Sequence, residues 1–217
     1  MHLKRNNIPK FWPVPRKGTK YLALASHNHE ESIPLVVAMR DVLGLVKNKK
    51  ELQRAINEKQ IIINQKTIRN VNYPISIFDV ISLPLTKKNL RAGLSNKKKI
   101  TFEEITDKEA ETKVFKVLDK KVILGNKVQL NLINGMNIIS KEKVNTGDSI
   151  VINLKDKKIT KVIPMENGKE VFILKGKHAG NSGKIEEIVL RGGKSIAKIS
   201  SKDGKINVWV KNLIAIK

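Results

Sequence analysis

Cysteine is absent from the 217 residues. That removes disulfides, thiolate metal sites and cysteine nucleophiles together. Aromatics are scarce, with two tryptophans, two tyrosines and five phenylalanines. No apolar run reaches the roughly 18 residues of a spanning helix. The opening MHLKRNNIPK has no apolar stretch behind its charges, so no secretory leader is expected. The chain contains no G-x-x-x-x-G-K-[ST] loop, no nucleophile elbow and no set of nucleophile, base and orienting group. Neither catalysis, a small-molecule substrate, a cofactor nor a metal is expected. His27 and His29 stand two apart in SHNHEE, but no further His or Cys completes a ligand set, and the stretch reads as a loop.

Acid is the other shortage. The chain has 20 Asp and Glu against 43 Lys and Arg, a formal net charge of +23. Such an excess repels itself in a compact chain unless a polyanion neutralises it. The basic residues are spread along the chain and not gathered in a tail; the partner of the right sign is nucleic acid or an anionic membrane, and with no spanning run or leader nucleic acid is expected. A cytoplasmic location is expected.

The opening segment concentrates the imbalance. No Asp or Glu precedes Glu30, while His2, Lys4, Arg5, Lys10, Arg16, Lys17 and Lys20 accumulate. Pro9, Pro13 and Pro15 forbid a regular helix and favour extended backbone. In KFWPVPRKG, Phe11 and Trp12 sit among the cations. An extended basic arm with an exposed ring can follow phosphates and stack on bases. Trp12 can equally anchor the arm on its own domain, and the sequence leaves both open.

Helix signals follow. LVVAMRDVLGL predicts a short amphipathic helix with Leu35, Met39, Val42 and Leu43 on one face, and Arg40 is its cation. KKELQRAINEK predicts a second helix, with Leu52, Ala55 and Ile56 inward and Lys49, Lys50, Gln53 and Arg54 outward; Lys47 precedes it. With this net charge the outward side is read as a phosphate-contacting face. IIINQKTI predicts a strand, a polar turn and a return bearing Lys66, followed by Arg69, and YPISIFDVISL a further strand. Residues 83–112 read as a polar connector, basic in LTKKNLRAGLSNKKK and acidic in EEITDKEAE.

From Lys113 the pattern is strand throughout. In VQLNLINGMNII, Val128, Leu130 and Leu132 alternate with polar residues, and Asn134-Gly135 supplies a tight hairpin turn. SIVINL and KITKVI form a pair after Gly147-Asp148. EVFIL, KIEEIVL, SIAKIS, INVWV and LIAI, with a turn at Asp203-Gly204, give about five strands, the pattern of a small closed barrel. Between the first two of these lies LKGKHAGNSGKI. Gly176, Gly180 and Gly183 allow tight backbone there, and Lys175, Lys177, His178 and Lys184 surround it. On spacing alone, a phosphate loop and a plain barrel turn fit equally.

VFILKGKHAGNSGKIEEI resembles a KOW motif, and the helix–helix–strand unit ending in SIFDVISLP resembles an alpha-L RNA-binding domain. HLKRNNIPKFWPVPRKGTKYL in front, and VQLNLINGMNI, NTGDSIVINL and VIPMENG between, complete an order that resembles the archaeal and eukaryotic small-subunit ribosomal protein four, the "S-four-e" family. The resemblance implies an α+β multidomain protein. Residues 1–34 would be an extended basic arm, 35–98 a small alpha-L domain of two to three helices and short strands with its connector, 99–166 a central β-rich domain, and 167–217 an SH3-like KOW β-barrel. It implies binding to small-subunit ribosomal RNA, with neighbouring ribosomal proteins as further partners, in the cytoplasmic small ribosomal subunit. Three positions depart from the family pattern. Asn64-Gln65 replaces the usual Asp-Gly, Asn181 the usual Arg, and Lys49-Lys50 the usual Ala-Arg. A KOW-containing transcription elongation factor, or an accessory RNA-binding protein of an RNA-modifying enzyme, is the alternative. The first would pair its barrel with a polymerase-binding domain, and the second needs a separate catalytic domain.

Overall fold

The computed structural model describes residues 2–123, 125, 127–140, 142–201 and 204–216. Its chain divides into two compact units, Met1–Glu111 and Thr112–Lys217. Strands dominate both, and the helices are few and short.

In the first unit, β1 (Leu3–Lys4) pairs antiparallel with β2 (Tyr21–Leu22). The proline-containing segment between them lies on the unit's core. Trp12 is 1% exposed, and its indole Nε1 donates to the Ser32 carbonyl oxygen at 3.1 Å. Leu3, Ile8, Phe11 and Val14 pack against the same core. The Lys99 ammonium donates to the Lys10 and Trp12 carbonyl oxygens at 2.7 and 2.8 Å, and Ile100 N donates to Phe11 O at 2.9 Å. The arm is therefore fastened by apolar burial and by backbone bonds, which offset the repulsion among its cations.

β3 (Ser32–Pro34) pairs with β6 (Pro74–Ser76). The first helix differs from the one-faced element expected. α1 (Leu35–Val37) runs into a π-helical turn, Ala38–Val42, whose wide ring is closed by Leu43 N donating to Ala38 O at 2.9 Å. Every residue from Leu35 to Met39 is buried, so this is a core segment enclosed on all sides. α2 (Lys49–Asn57) has the amphipathic form its spacing predicts, with Leu52 and Ile56 buried. Its start is fixed by Asn48 Oδ1 accepting from Glu51 N at 2.9 Å, while Glu51 Oε2 accepts from Lys47 N at 2.7 Å.

β4 (Ile62–Ile63) and β5 (Lys66–Thr67) form a hairpin. Asn64 and Gln65 take φ values of 49° and 60°, so the tight turn persists without glycine. Asn64 is held by Nδ2 donating to Asp79 Oδ1 at 2.6 Å and by Oδ1 accepting from Val80 N at 3.0 Å. The hairpin joins β7 (Val80–Leu83), β8 (Lys88–Leu94) and β9 (Ile100–Ile105) in a sheet of order β5-β4-β7-β8-β9. The supposed polar connector of residues 83–112 is thus mostly a β-hairpin, followed by α3 (Asp107–Ala110) with its Thr106–Glu109 capping box. β9 pairs with β8 and lies in the first unit, whereas the family resemblance implies a central domain that starts at residue 99.

The second unit contains two five-stranded antiparallel sheets. The first has order β12-β11-β10-β13-β14, from β10 (Thr112–Ile123), β11 (Lys127–Leu132), β12 (Asn137–Ser140), β13 (Ser149–Asn153) and β14 (Ile159–Ile163). Asn134 and Gly135 turn between β11 and β12 with φ 70° and 76°. The second has order β18-β17-β16-β15-β19, from β15 (Glu170–Ile173), β16 (Ser182–Arg191), β17 (Lys194–Ser201), β18 (Gly204–Trp209) and β19 (Leu213–Ala215). All five strands send side chains into one core, including Val171, Ile185, Ile199, Ile206 and Leu213. Among the described residues no ladder joins β18 to β19, so the expected closure is not completed by hydrogen bonds. Of the expected Asp203-Gly204 turn, Asp203 lies outside the described residues and Gly204 has φ 110°.

Two side chains tie these sheets together. The buried Lys116 ammonium donates to the Val210 and Leu213 carbonyl oxygens, the latter at 2.7 Å. Ser149 Oγ accepts from Ala215 N at 2.8 Å.

Candidate nucleic-acid interface

Backbone order determines which cations can reach a ligand. On the arm, His2, Lys4, Lys10, Arg16, Lys17 and Lys20 are exposed. Lys20 Nζ lies 5.4 Å from the centre of the Tyr21 ring, which also meets His2 at 5.6 Å between ring centres. Trp12 and Arg5 face their own unit. The Trp12 ring is enclosed in the core and cannot stack on a base from there. The Arg5 guanidinium braces the arm from inside. Its Nε donates to Thr19 O at 2.7 Å, one terminal nitrogen to Pro15 O at 2.5 Å and the other to Thr19 Oγ1 at 3.1 Å. A Cβ added to Gly18 would lie 2.7 Å from that guanidinium, so a larger residue there would push it from its place.

On α2, Lys49, Lys50 and Arg54 are exposed. Lys49 and Lys50 occupy the first turn, where the helix dipole disfavours positive charge. Their placement is thus unfavourable for the isolated helix and suited to an external anion. Arg54 is bound to Glu58 at 2.8 Å, four residues on, which raises its pKa further. Gln53 Nε2 donates to Asn57 Oδ1 at 3.0 Å and reaches Arg69 O at 3.5 Å, which sets the Arg69 backbone beside the helix. Lys66 and Arg69 are themselves exposed. Arg40 is paired with Asp41 at 2.8 Å, and that bond raises its pKa. Lys47 is exposed just before the helix.

The glycine loop folds back on its own backbone. Gly180 N donates to Ile173 O at 2.9 Å, and Ile173 N to Asn181 O at 3.0 Å. Gly176 and Gly180 need their glycine identity for φ values of 102° and 94°. Gly180 is buried and its N–H is used internally, so it offers no donor to a ligand. Gly183 serves packing: an added Cβ would lie 2.3 Å from the Ser200 carbonyl oxygen on β17. The cationic periphery remains outward. Lys175, Lys177 and Lys184 are exposed, and His178 is half-buried.

Sequence reasoning missed Lys211. It sits on the 3-10 turn Val210–Asn212, whose Asn212 O accepts from Leu174 N at 2.8 Å, so it borders the loop. Its signal was a lone cation interrupting INVWV and LIAI. Among the described residues no group of three or more His, Asp or Glu could hold a metal. His27 Nδ1 instead shares a hydrogen bond with Ser26 Oγ at 3.0 Å, and its ring meets Tyr73 edge-on. No helix among them is long and apolar enough to cross a membrane.

The family model described as Ribosomal family S4e matches residues 86–159. The small ribosomal subunit protein eS4 of Methanosphaera stadtmanae is 38% identical over 190 residues, covering 86% of this chain and 79% of that protein. The eS4 protein of Methanospirillum hungatei is 34% identical over 208 residues, covering 93% and 86%. In fold, the chain is similar to the crystal structure of the 30S ribosomal protein S4e from Thermoplasma acidophilum. The TM-score is 0.74 at 24% identity, over 86% of this chain and 95% of that one.

Proposed function

The chain belongs to the S4e family of ribosomal proteins, and we propose that it is a non-enzymatic structural constituent of the small ribosomal subunit that binds and organises small-subunit ribosomal RNA. The observation that carries this reading is the 38% identity to an archaeal eS4 protein across 86% of the chain. Charge supports it independently, since +23 on 217 residues calls for a polyanion. On this reading the protein works in the cytoplasm within the subunit, beside other ribosomal proteins.

The mechanism is phosphate neutralisation from a braced scaffold. The arm offers Lys4, Lys10, Arg16, Lys17 and Lys20. An alpha-L RNA-binding unit over 35–98 offers Lys49, Lys50, Lys66 and Arg69, with its sheet completed by β9. A central β-rich domain leads to a KOW barrel over 167–217 that offers Lys175, Lys177 and Lys184. Because Trp12, Lys99 and Arg5 hold the arm in place, little ordering entropy remains for the arm when RNA binds. Each neutralised phosphate releases counterion, so affinity falls steeply with salt. The test is binding of a small-subunit ribosomal RNA transcript across a salt series, with sedimentation of cell extract. Steep salt dependence and co-migration with small subunits are expected. A flat salt response, or migration with RNA polymerase, would overturn the reading.

A further inference from the structure

The two tryptophans have opposite environments: Trp12 is 1% exposed and Trp209 is 49% exposed. Trp209 ends β18 on the outer face of the C-terminal sheet. Register defines that face. Val189, Ile196 and Trp209 lie in one row across β16, β17 and β18, with Arg191 and Lys194 in the next row. In the other direction come Glu187, Lys198 and Asn207, then Lys184, Ser200 and Lys205. The alternate residues Ala197, Ile199, Ile206 and Val208 are buried in the core, so the rows named face outward.

Charge on this face is unequal. Glu187 is held by Lys198 at 2.6 Å, and Glu186, at the β16 bulge, by Lys205 at 3.0 Å. Arg191 and Lys194 remain as excess positive charge, while Lys184 stands across from Glu170 of β15. Lys194 Nζ stands 4.5 Å from the centre of the Trp209 ring, so a cation and an open aromatic ring share one spot. Lysine is depleted in the cores of protein–protein interfaces. A ring with a lysine beside it and an arginine in the same row matches what single-stranded nucleic acid requires, a surface for a base and charge for its phosphates.

We propose that the outer face of β16–β18 is a second RNA-contacting site, distinct from the glycine loop, in which Trp209 stacks on an unpaired base while Lys194 and Arg191 meet the adjoining phosphates. The inference rests on the RNA-binding reading above. Lys184 lies at the end of the loop and in the outermost row of this face, so a strand leaving the loop can continue along it.

The full chain can be tested with a short oligouridylate, an RNA duplex of equal length and a small-subunit ribosomal RNA transcript. Trp209 is the exposed fluorophore, so oligouridylate is expected to shield the protein's fluorescence from acrylamide. Trp209→Ala is expected to weaken oligouridylate binding roughly tenfold or more, the effect of losing one stacking partner, and to leave duplex affinity unchanged. Trp209→Phe keeps a ring and is expected to retain most of the affinity, which separates stacking from misfolding. Lys194→Ala should weaken binding without altering the fluorescence spectrum of the free protein by more than the loss of one nearby charge. If Trp209 stays open to acrylamide in saturated complex, or Trp209→Ala binds oligouridylate as wild type does, the proposal is wrong. Photocrosslinking of Trp209 to protein and not RNA in assembled subunits would sink it too. Failure of the wild-type chain to bind the ribosomal transcript would instead defeat the function proposed above.

Discussion

Lys116 donates to the Leu213 carbonyl oxygen at 2.7 Å from a site only 3% exposed, joining β10 to the start of β19. Burial lowers its pKa from 10.5 to about 8. The unfolded chain therefore holds this proton over a pH range where the folded chain has lost it. Below pH 8 both states are charged and the burial penalty is fully present; above about 10.5 both are neutral and it is gone. Stability from this group thus rises with pH across that window, by about 3 kcal/mol. Lys116→Met removes the group. The wild-type unfolding free energy minus that of the variant should climb between pH 8 and 10.5, as read by denaturant titration.

Trp12→Ala tests the anchoring of the arm. It empties a core position and removes the bond to Ser32 O. A loss of roughly 3–5 kcal/mol is expected by chemical denaturation. Trypsin should then cut at Lys10, Arg16 and Lys17 faster than in wild type.

Lys49 and Lys50 stand at a helix start, where their charge does not help the helix. Replacing both with alanine should leave the melting temperature unchanged or slightly raised. Binding to a small-subunit ribosomal RNA transcript should weaken, with the slope of log affinity against log salt smaller by about 2.

Gly183→Ala places a methyl against the Ser200 carbonyl oxygen. The sheet must yield, and a loss of roughly 1–3 kcal/mol is expected in thermal unfolding. A normal melting temperature with weakened RNA binding would instead make Gly183 a contact for the ligand.

Gln65→Gly should stabilise the first unit by roughly 1 kcal/mol, since Gln65 is held at φ 60° where glycine is unstrained. Asn64→Ala should do the reverse, because it breaks the bonds to Asp79 and Val80. Denaturant unfolding of the two variants separates these effects.

Local chemistry was legible in the sequence. The α2 spacing, the Asn134-Gly135 turn and the five strands of the last sheet all follow from residues within a few positions of one another. The β8–β9 hairpin was masked because lysines crowd its turn and Lys98, not glycine, takes the positive φ of 60°. Yet Ala92 and Leu94 are buried and Leu90 is half-buried, an alternation that was present to be read. The inward placement of Trp12 and Arg5 is hidden from the sequence for another reason. Their partners lie 20 and 10 to 14 residues away, and no local pattern reveals whether a ring or guanidinium turns inward. The exposure of the lysines on the candidate surface was easier to foresee, because a solvated ammonium needs no particular neighbour.

The bonds from Lys99 to the carbonyls of Lys10 and Trp12 close loops of 89 and 87 residues. During synthesis the basic arm leaves the ribosome long before the lysine that fastens it. The first unit can complete its contacts only once β9 has been made. The order of synthesis thus decides when this arm can become part of a fixed surface.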